Sequence, residues 1–126
     1  MSSDCSISFT WGDGPHTFRL GIKQQEELQE KCDAGPEMLF ARVAAGLPNV
    51  LDLRETIRLG LVGGGMEPPA AVKLVERYVD DCPRKPNHIA ARAILEACIV
   101  GVPDDPVGKS AAGEAEARAP VEKTAA

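Results

Sequence analysis

The sequence predicts an α+β fold in which an N-terminal β-hairpin is followed by about five α-helices. Apolar and polar residues alternate over the first 22 residues, which is the two-residue period of a β-strand. Apolar residues then recur at helical spacing in segments that glycine and proline separate. From residue 103 large apolar residues become rare. We therefore expect one domain over residues 1–102 and a disordered, acidic, Ala/Pro-rich tail over residues 103–126.

Two alternating runs form the predicted hairpin. Residues 5–11 place Cys5, Ile7, Phe9 and Trp11 on one face, and residues 16–22 do the same for His16, Phe18, Leu20 and Ile22. The segment between them contains Asp13-Gly14, and both positions of a tight hairpin turn favour a positive φ. Because an isolated hairpin is only marginally stable, we expect its apolar, aromatic face to be covered by helices.

The next two helices are predicted over residues 23–33 and from Pro36 onward. The first is rich in helix-forming residues and places Leu28 and Cys32 on one face. Gly35 can end the first helix, and Pro36 suits the first position of the second. The second helix has one apolar stripe, made of Leu39, Phe40, Val43, Ala44 and Leu47.

The third helix is predicted to begin at Asp52, which with Glu55 resembles a capping box. Its apolar side comprises Leu53, Ile57 and Leu61, and its outward side comprises Arg54, Glu55 and Arg58. Glycines 63–65 are predicted to form a flexible connector. They lack the lysine and the spacing of a phosphate-binding loop.

Pro68 is predicted to open the fourth helix, whose apolar stripe is Val72, Val75, Val79 and Cys82. The fifth helix is predicted over residues 88–100, where the only charged residues are Arg92 and Glu96. A helix that is apolar over most of its surface is either central in the core or covered by a partner.

Composition and motif spacing argue against nucleic-acid binding, metal or cofactor binding, and catalysis. The net charge is −5 and no basic patch stands out, so we expect no nucleic-acid partner. The four cysteines form no CxxC pair, and the chain has no secretory signal or membrane-length apolar run, so we expect reduced thiols in the cytoplasm. His16 and His88 lack the spacing of zinc ligands, and we expect no metal, no cofactor and no enzymatic activity.

Four landmarks in a fixed order resemble a known family. They are residues 9–14 (FTWGDG) with 18–20 (FRL), residues 28–36 (LQEKCDAGP), residues 57–65 (IRLGLVGGG) and residues 74–80 (LVERYVD). Over about residues 7–101 the chain resembles the gene transfer agent small tail proteins of alphaproteobacteria. This family is also described as phage tail-assembly chaperones or tail-tube-associated proteins.

The resemblance implies a bacterial protein that helps to build a phage-like tail. The leading expectation is a cytoplasmic chaperone for the tape-measure protein and the major tail (tube) protein. The alternative is a structural tail-tube component of the particle, and self-association stays open. A weaker alternative, from the residues alone, is a small enzyme using Cys32 or Cys98 with His88.

The apolar last helix is the predicted partner-binding region, because an apolar helix surface can take part in helix-in-groove binding. The residues proposed for it are Ile94, Leu95, Cys98, Ile99 and Val100.

Overall fold

A computed structural model of the protein describes residues 4–102. Their fold is a two-stranded antiparallel hairpin followed by five helices, which confirms the predicted α+β architecture. The elements are β1 (Ser6–Trp11), β2 (Gly14–Arg19), α1 (Ile22–Cys32), α2 (Pro36–Ala44), α3 (Val50–Gly63), α4 (Pro68–Tyr78) and α5 (Lys85–Ile99). The predicted disordered tail, residues 103–126, lies outside the described residues.

The hairpin turn differs from the prediction by one residue. Trp11 pairs with Gly14, so Gly12 and Asp13 are the two turn residues. Gly12 has φ 63°, and Asp13 has no positive φ. A positive φ at the first turn position alone is the pattern of a type II′ turn, in which glycine is favoured at that position.

The aromatic face of the hairpin packs into the core, as predicted, with Trp11 and Phe18 buried and Phe9 half-buried. The Phe9 and Phe18 rings stack with their centroids 4.6 Å apart. Trp11 meets Tyr78 edge-on at 5.7 Å, and its indole Nε1 donates a hydrogen bond of 2.9 Å to the Asn87 side-chain oxygen. The hairpin is therefore fixed to α4 and α5 by both ring packing and a buried hydrogen bond.

Helix α3 is the centre of the fold, in contact with β2, α1, α4 and α5. It buries Leu53, Ile57 and Leu61, as its spacing predicts. The expectation of a flexible glycine connector is wrong for the first two glycines. A Cβ on Gly63 would overlap the Arg19 carbonyl oxygen, and one on Gly64 would overlap the Thr17 carbonyl oxygen. These glycines let the end of α3 pack directly against the backbone of β2.

Several predicted ends are displaced. Ile22 begins α1 and is 68% exposed, so it does not extend the buried strand face. Helix α2 ends at Ala44, which leaves Leu47 outside its stripe and 77% exposed. Helix α4 ends at Tyr78, so Cys82 lies in the following loop, and α5 begins at Lys85 instead of residue 88.

Candidate functional site

Two carboxylates on α3 are buried, and for Glu55 this is contrary to the expectation of an outward charged side. Asp52 is 1% exposed and Glu55 is 3% exposed. Asp52 is not the residue that precedes the helix, because the helix begins about one turn earlier than predicted. The Asp52 Oδ2 accepts a hydrogen bond of 2.8 Å from the Asn49 backbone N–H. Burying such charges is costly unless each is paired and hydrogen-bonded.

Arginines supply that pairing. Arg42 donates to both oxygens of Asp52 at 3.2 and 3.3 Å. Arg58 Nε donates to Glu55 at 3.1 Å, and Arg54 Nη1 lies 3.4 Å from the other Glu55 oxygen. We therefore interpret Asp52 and Glu55 as structural carboxylates whose negative charges are balanced by the charges of neighbouring arginines.

The same arginines link distant elements. Arg58 also donates to Glu27 of α1 at 3.0 Å, and Arg54 donates to Asp80 beyond α4 at 3.0 Å. Hydrogen bonding to Glu55 raises the pKa of the Arg58 guanidinium. The polar cluster thus connects α1, α3 and the α4–α5 loop around the first two turns of α3.

The thiols and imidazoles lack the features of an activated nucleophile. Burial, followed by the charges of Asp52 and Glu55, raises the pKa of the Cys32 thiol to about 12. Burial raises the pKa of the Cys98 thiol to about 11. A catalytic cysteine needs a lowered pKa, because the thiolate is the reactive form. His88 and Cys98 share α5 ten residues apart, a separation of about 15 Å along a helix.

The remaining imidazole has a local partner. His16 Nε2 lies 2.7 Å from Asp13 Oδ1, and this hydrogen bond lowers the pKa of the Asp13 carboxyl. Within residues 4–102, no group of three or more His, Cys, Asp or Glu residues is placed to hold a metal ion. No helix in the described part of the chain combines the length and apolar character needed to cross a membrane.

The most prominent surface feature lies around the connection between α2 and α3. Three large apolar side chains are exposed there, and we call them the α2–α3 apolar surface: Leu47, Val50 and Leu51. They are three of the eight large apolar residues that are exposed among residues 4–102. Single exposed apolar residues are ordinary, whereas a cluster in one segment indicates an interaction site.

A cleft of about 610 Å³ adjoins this surface through Val50. Its apolar lining is completed by Leu53 and Val79, and its polar lining is formed by Arg54, Asp80, Asp81, Cys82, Arg84 and Asn87. Arg84 Nη2 donates to the Pro48 carbonyl at 2.9 Å, which links the two sides of the cleft. A cleft lined by apolar side chains and by charged groups of both signs suits a side chain of a protein partner.

The predicted binding residues of α5 divide into two groups. Ile94 and Leu95 are in the core, because the middle of α5 packs against α2, α3 and the hairpin. Cys98 is half-buried, whereas Ile99 and Val100 are exposed by 38% and 63%. Of the five predicted residues, only Ile99 and Val100 at the end of α5 are therefore exposed, and their role in binding stays a prediction.

A family model described as "Phage tail tube protein, GTA-gp10" matches residues 4–101, which is nearly the whole described range. Searches of curated proteins and of solved structures found no match to the chain.

Proposed function

Because the chain belongs to the phage tail tube protein family GTA-gp10, we propose that it acts in tail building as an assembly chaperone. In this role it binds the tape-measure protein and the major tail protein while the tube forms. It works by binding, without catalysis or a cofactor. We assign this function to residues 1–102, with the remaining tail outside the binding unit.

The α2–α3 apolar surface is the observation that carries this proposal. Leu47 and Val50 are 77% and 66% exposed. Leaving such side chains in water is unfavourable, and covering them with an apolar helix face regains about 25 cal/mol per Å². A long helical partner such as a tape-measure protein presents amphipathic faces of this kind.

A structural tail-tube component is the second candidate, and the description of the family favours it. The two-stranded sheet of this chain has no further strand on either side within residues 4–102. Strand edges of this kind can pair with a second copy during assembly. Mass spectrometry of purified particles separates the candidates: a stoichiometric amount of this chain supports the structural role, and its absence supports the chaperone.

Co-expression with the tape-measure protein of the same particle tests the chaperone directly. We expect the wild-type chain to keep the tape-measure protein soluble and the double variant Leu47→Ser/Val50→Ser to lose this effect. Ile22→Ser is the matched control, because Ile22 is 68% exposed but lies on α1. The variant Ile99→Ser/Val100→Ser tests the end of α5 in the same assay. If the tape-measure protein is equally insoluble with and without the wild-type chain, the chaperone proposal is wrong.

A further inference from the structure

Two cysteines from opposite ends of the domain meet in the fold. Cys5 immediately precedes β1, and Cys98 lies in the last turn of α5. The Cys5 Sγ donates to the Cys98 carbonyl oxygen at 3.8 Å, although the two residues are 93 positions apart. The Cys98 Sγ in turn donates to the Leu20 carbonyl oxygen at 3.9 Å. Both side chains are half-buried, so neither is removed from solvent.

The backbone holds Cys5 in this position. Cys5 has φ 70°, a conformation that residues other than glycine rarely adopt. On either side of it, Arg19 Nε donates to the Asp4 carbonyl at 2.7 Å, and the Ser6 N–H donates to the Asp4 carboxylate at 3.0 Å. These contacts hold the backbone beside Cys5 against the hairpin.

We propose that Cys5 and Cys98 are a redox modification site, at which a low-molecular-weight disulfide of the glutathione type drives formation of an intramolecular disulfide. The Cys5 thiolate attacks one sulfur of the oxidant, and a mixed disulfide forms as one glutathione thiolate leaves. The Cys98 thiolate then attacks the Cys5 sulfur and displaces the second glutathione. In total, the two protein thiols lose two protons and two electrons. These reduce one glutathione disulfide to two glutathione thiols.

The other two cysteines have different surroundings. The Cys32 thiol is in the core and donates to the Leu51 carbonyl at 3.5 Å. The Cys82 thiol donates to the Arg77 carbonyl at 3.4 Å in the α4–α5 loop. The proximity of Cys5 contributes, after burial, to the raised pKa of Cys98, which is consistent with two neighbouring thiols.

Such a bond would link the first strand to the last helix and close almost the whole domain into one loop. Disulfides that close long loops constrain the unfolded chain most strongly. A tail protein assembled in a reducing cytoplasm and carried out of the cell in a particle meets oxidising conditions only afterwards. The modification would then stabilise the domain after assembly. The bond itself can form whether the chain acts as a chaperone or as a tube component, but the stabilisation after assembly applies to a chain that stays in the particle.

Peptide mapping of the full chain tests the proposal. The protein is incubated with glutathione disulfide at about pH 8.5, near the ordinary pKa of a thiol, and digested with trypsin without reduction. Each cysteine then falls in its own peptide, with Cys5 in residues 1–19 and Cys98 in residues 93–109. We expect these two peptides to be joined in the wild type and in Cys82→Ser, and to be separate in Cys5→Ser.

Oxidised protein should also unfold at a temperature higher by on the order of 10 °C than reduced protein. Separate glutathione adducts on Cys5 and Cys98 without the joined peptide would overturn the proposal. So would a bond between two chains, or a joined peptide that contains Cys82. The wild-type map decides the question even if Cys5→Ser folds poorly.

Discussion

Replacing Gly63 with alanine should test whether the fold depends on the close approach of α3 to β2. The new Cβ would overlap the Arg19 carbonyl oxygen, and that atom belongs to backbone between the fully buried Phe18 and Leu20. Relieving the overlap therefore requires a shift of β2 or of α3. Overpacking of this kind costs about 1–3 kcal/mol, and the better helix propensity of alanine returns less than about 1 kcal/mol. We expect a net loss of about 2 kcal/mol.

Urea unfolding followed by the fluorescence of Trp11, the single tryptophan, measures this loss. With m-values of about 1–3 kcal/mol/M, the midpoint should fall by about 1 M. Gly35→Ala is the control, because a Cβ there meets only the flexible end of Gln29, and we expect it to lose under about 1 kcal/mol as an N-cap. An unchanged midpoint for Gly63→Ala would refute the argument that glycine is required at this contact.

Three further predictions concern buried polar groups. Glu55→Gln removes the buried charge that Arg58 contacts, although Arg58 keeps its bond to Glu27, and should cost about 1–3 kcal/mol in thermal or urea unfolding; an unchanged stability would contradict a structural role for the Glu55–Arg58 pair. Asn87→Leu leaves the Trp11 indole N–H without its acceptor and should cost about 1–3 kcal/mol and shift the Trp11 emission, whereas an unaltered spectrum would count against the hydrogen bond. The folded-state pKa of Cys98 is raised from 9.0 to about 11, so its contribution to stability is complete below pH 9.0 and is lost as the pH rises towards 11. Urea midpoints across this range should fall less steeply for Cys98→Ala than for wild type, and equal slopes would refute the assignment.

The elements that the sequence predicts well are those set by local spacing. The alternation around Trp11 and Phe18 marks the buried face of the hairpin, and the period of α3 identifies its core residues. The exposure of Glu55 was predicted wrongly because the groups that surround its cluster are only partly local. Glu55 is buried by Arg58 in the next turn of α3, and Arg58 in turn bonds Glu27, which is 31 residues away. A helical period assigns charged residues to solvent and contains no information about such partners.

The exposure of apolar residues in the α2–α3 apolar surface and on α5 was also not predictable from local sequence spacing. Leu47 follows the apolar stripe of α2 in sequence, but the chain turns after Ala44 and leaves it exposed. Ile94 and Ile99 look alike on α5, yet one is in the core and the other is exposed at the end of the helix. Residue type identifies apolar surface, whereas exposure depends on where each helix ends and on what packs beside it.

The contacts around the α2–α3 apolar surface bear on how it can bind. Its backbone is fixed by polar contacts on both sides: Asp52 accepts from Arg42 and from the Asn49 N–H, and Arg84 donates to the Pro48 carbonyl. The apolar side chains of the surface are therefore presented to solvent by an ordered connection. A partner that covers them does not have to order this part of the backbone, so less of the binding free energy is lost to conformational entropy. For this reason we favour the α2–α3 apolar surface over the end of α5 as the principal binding site.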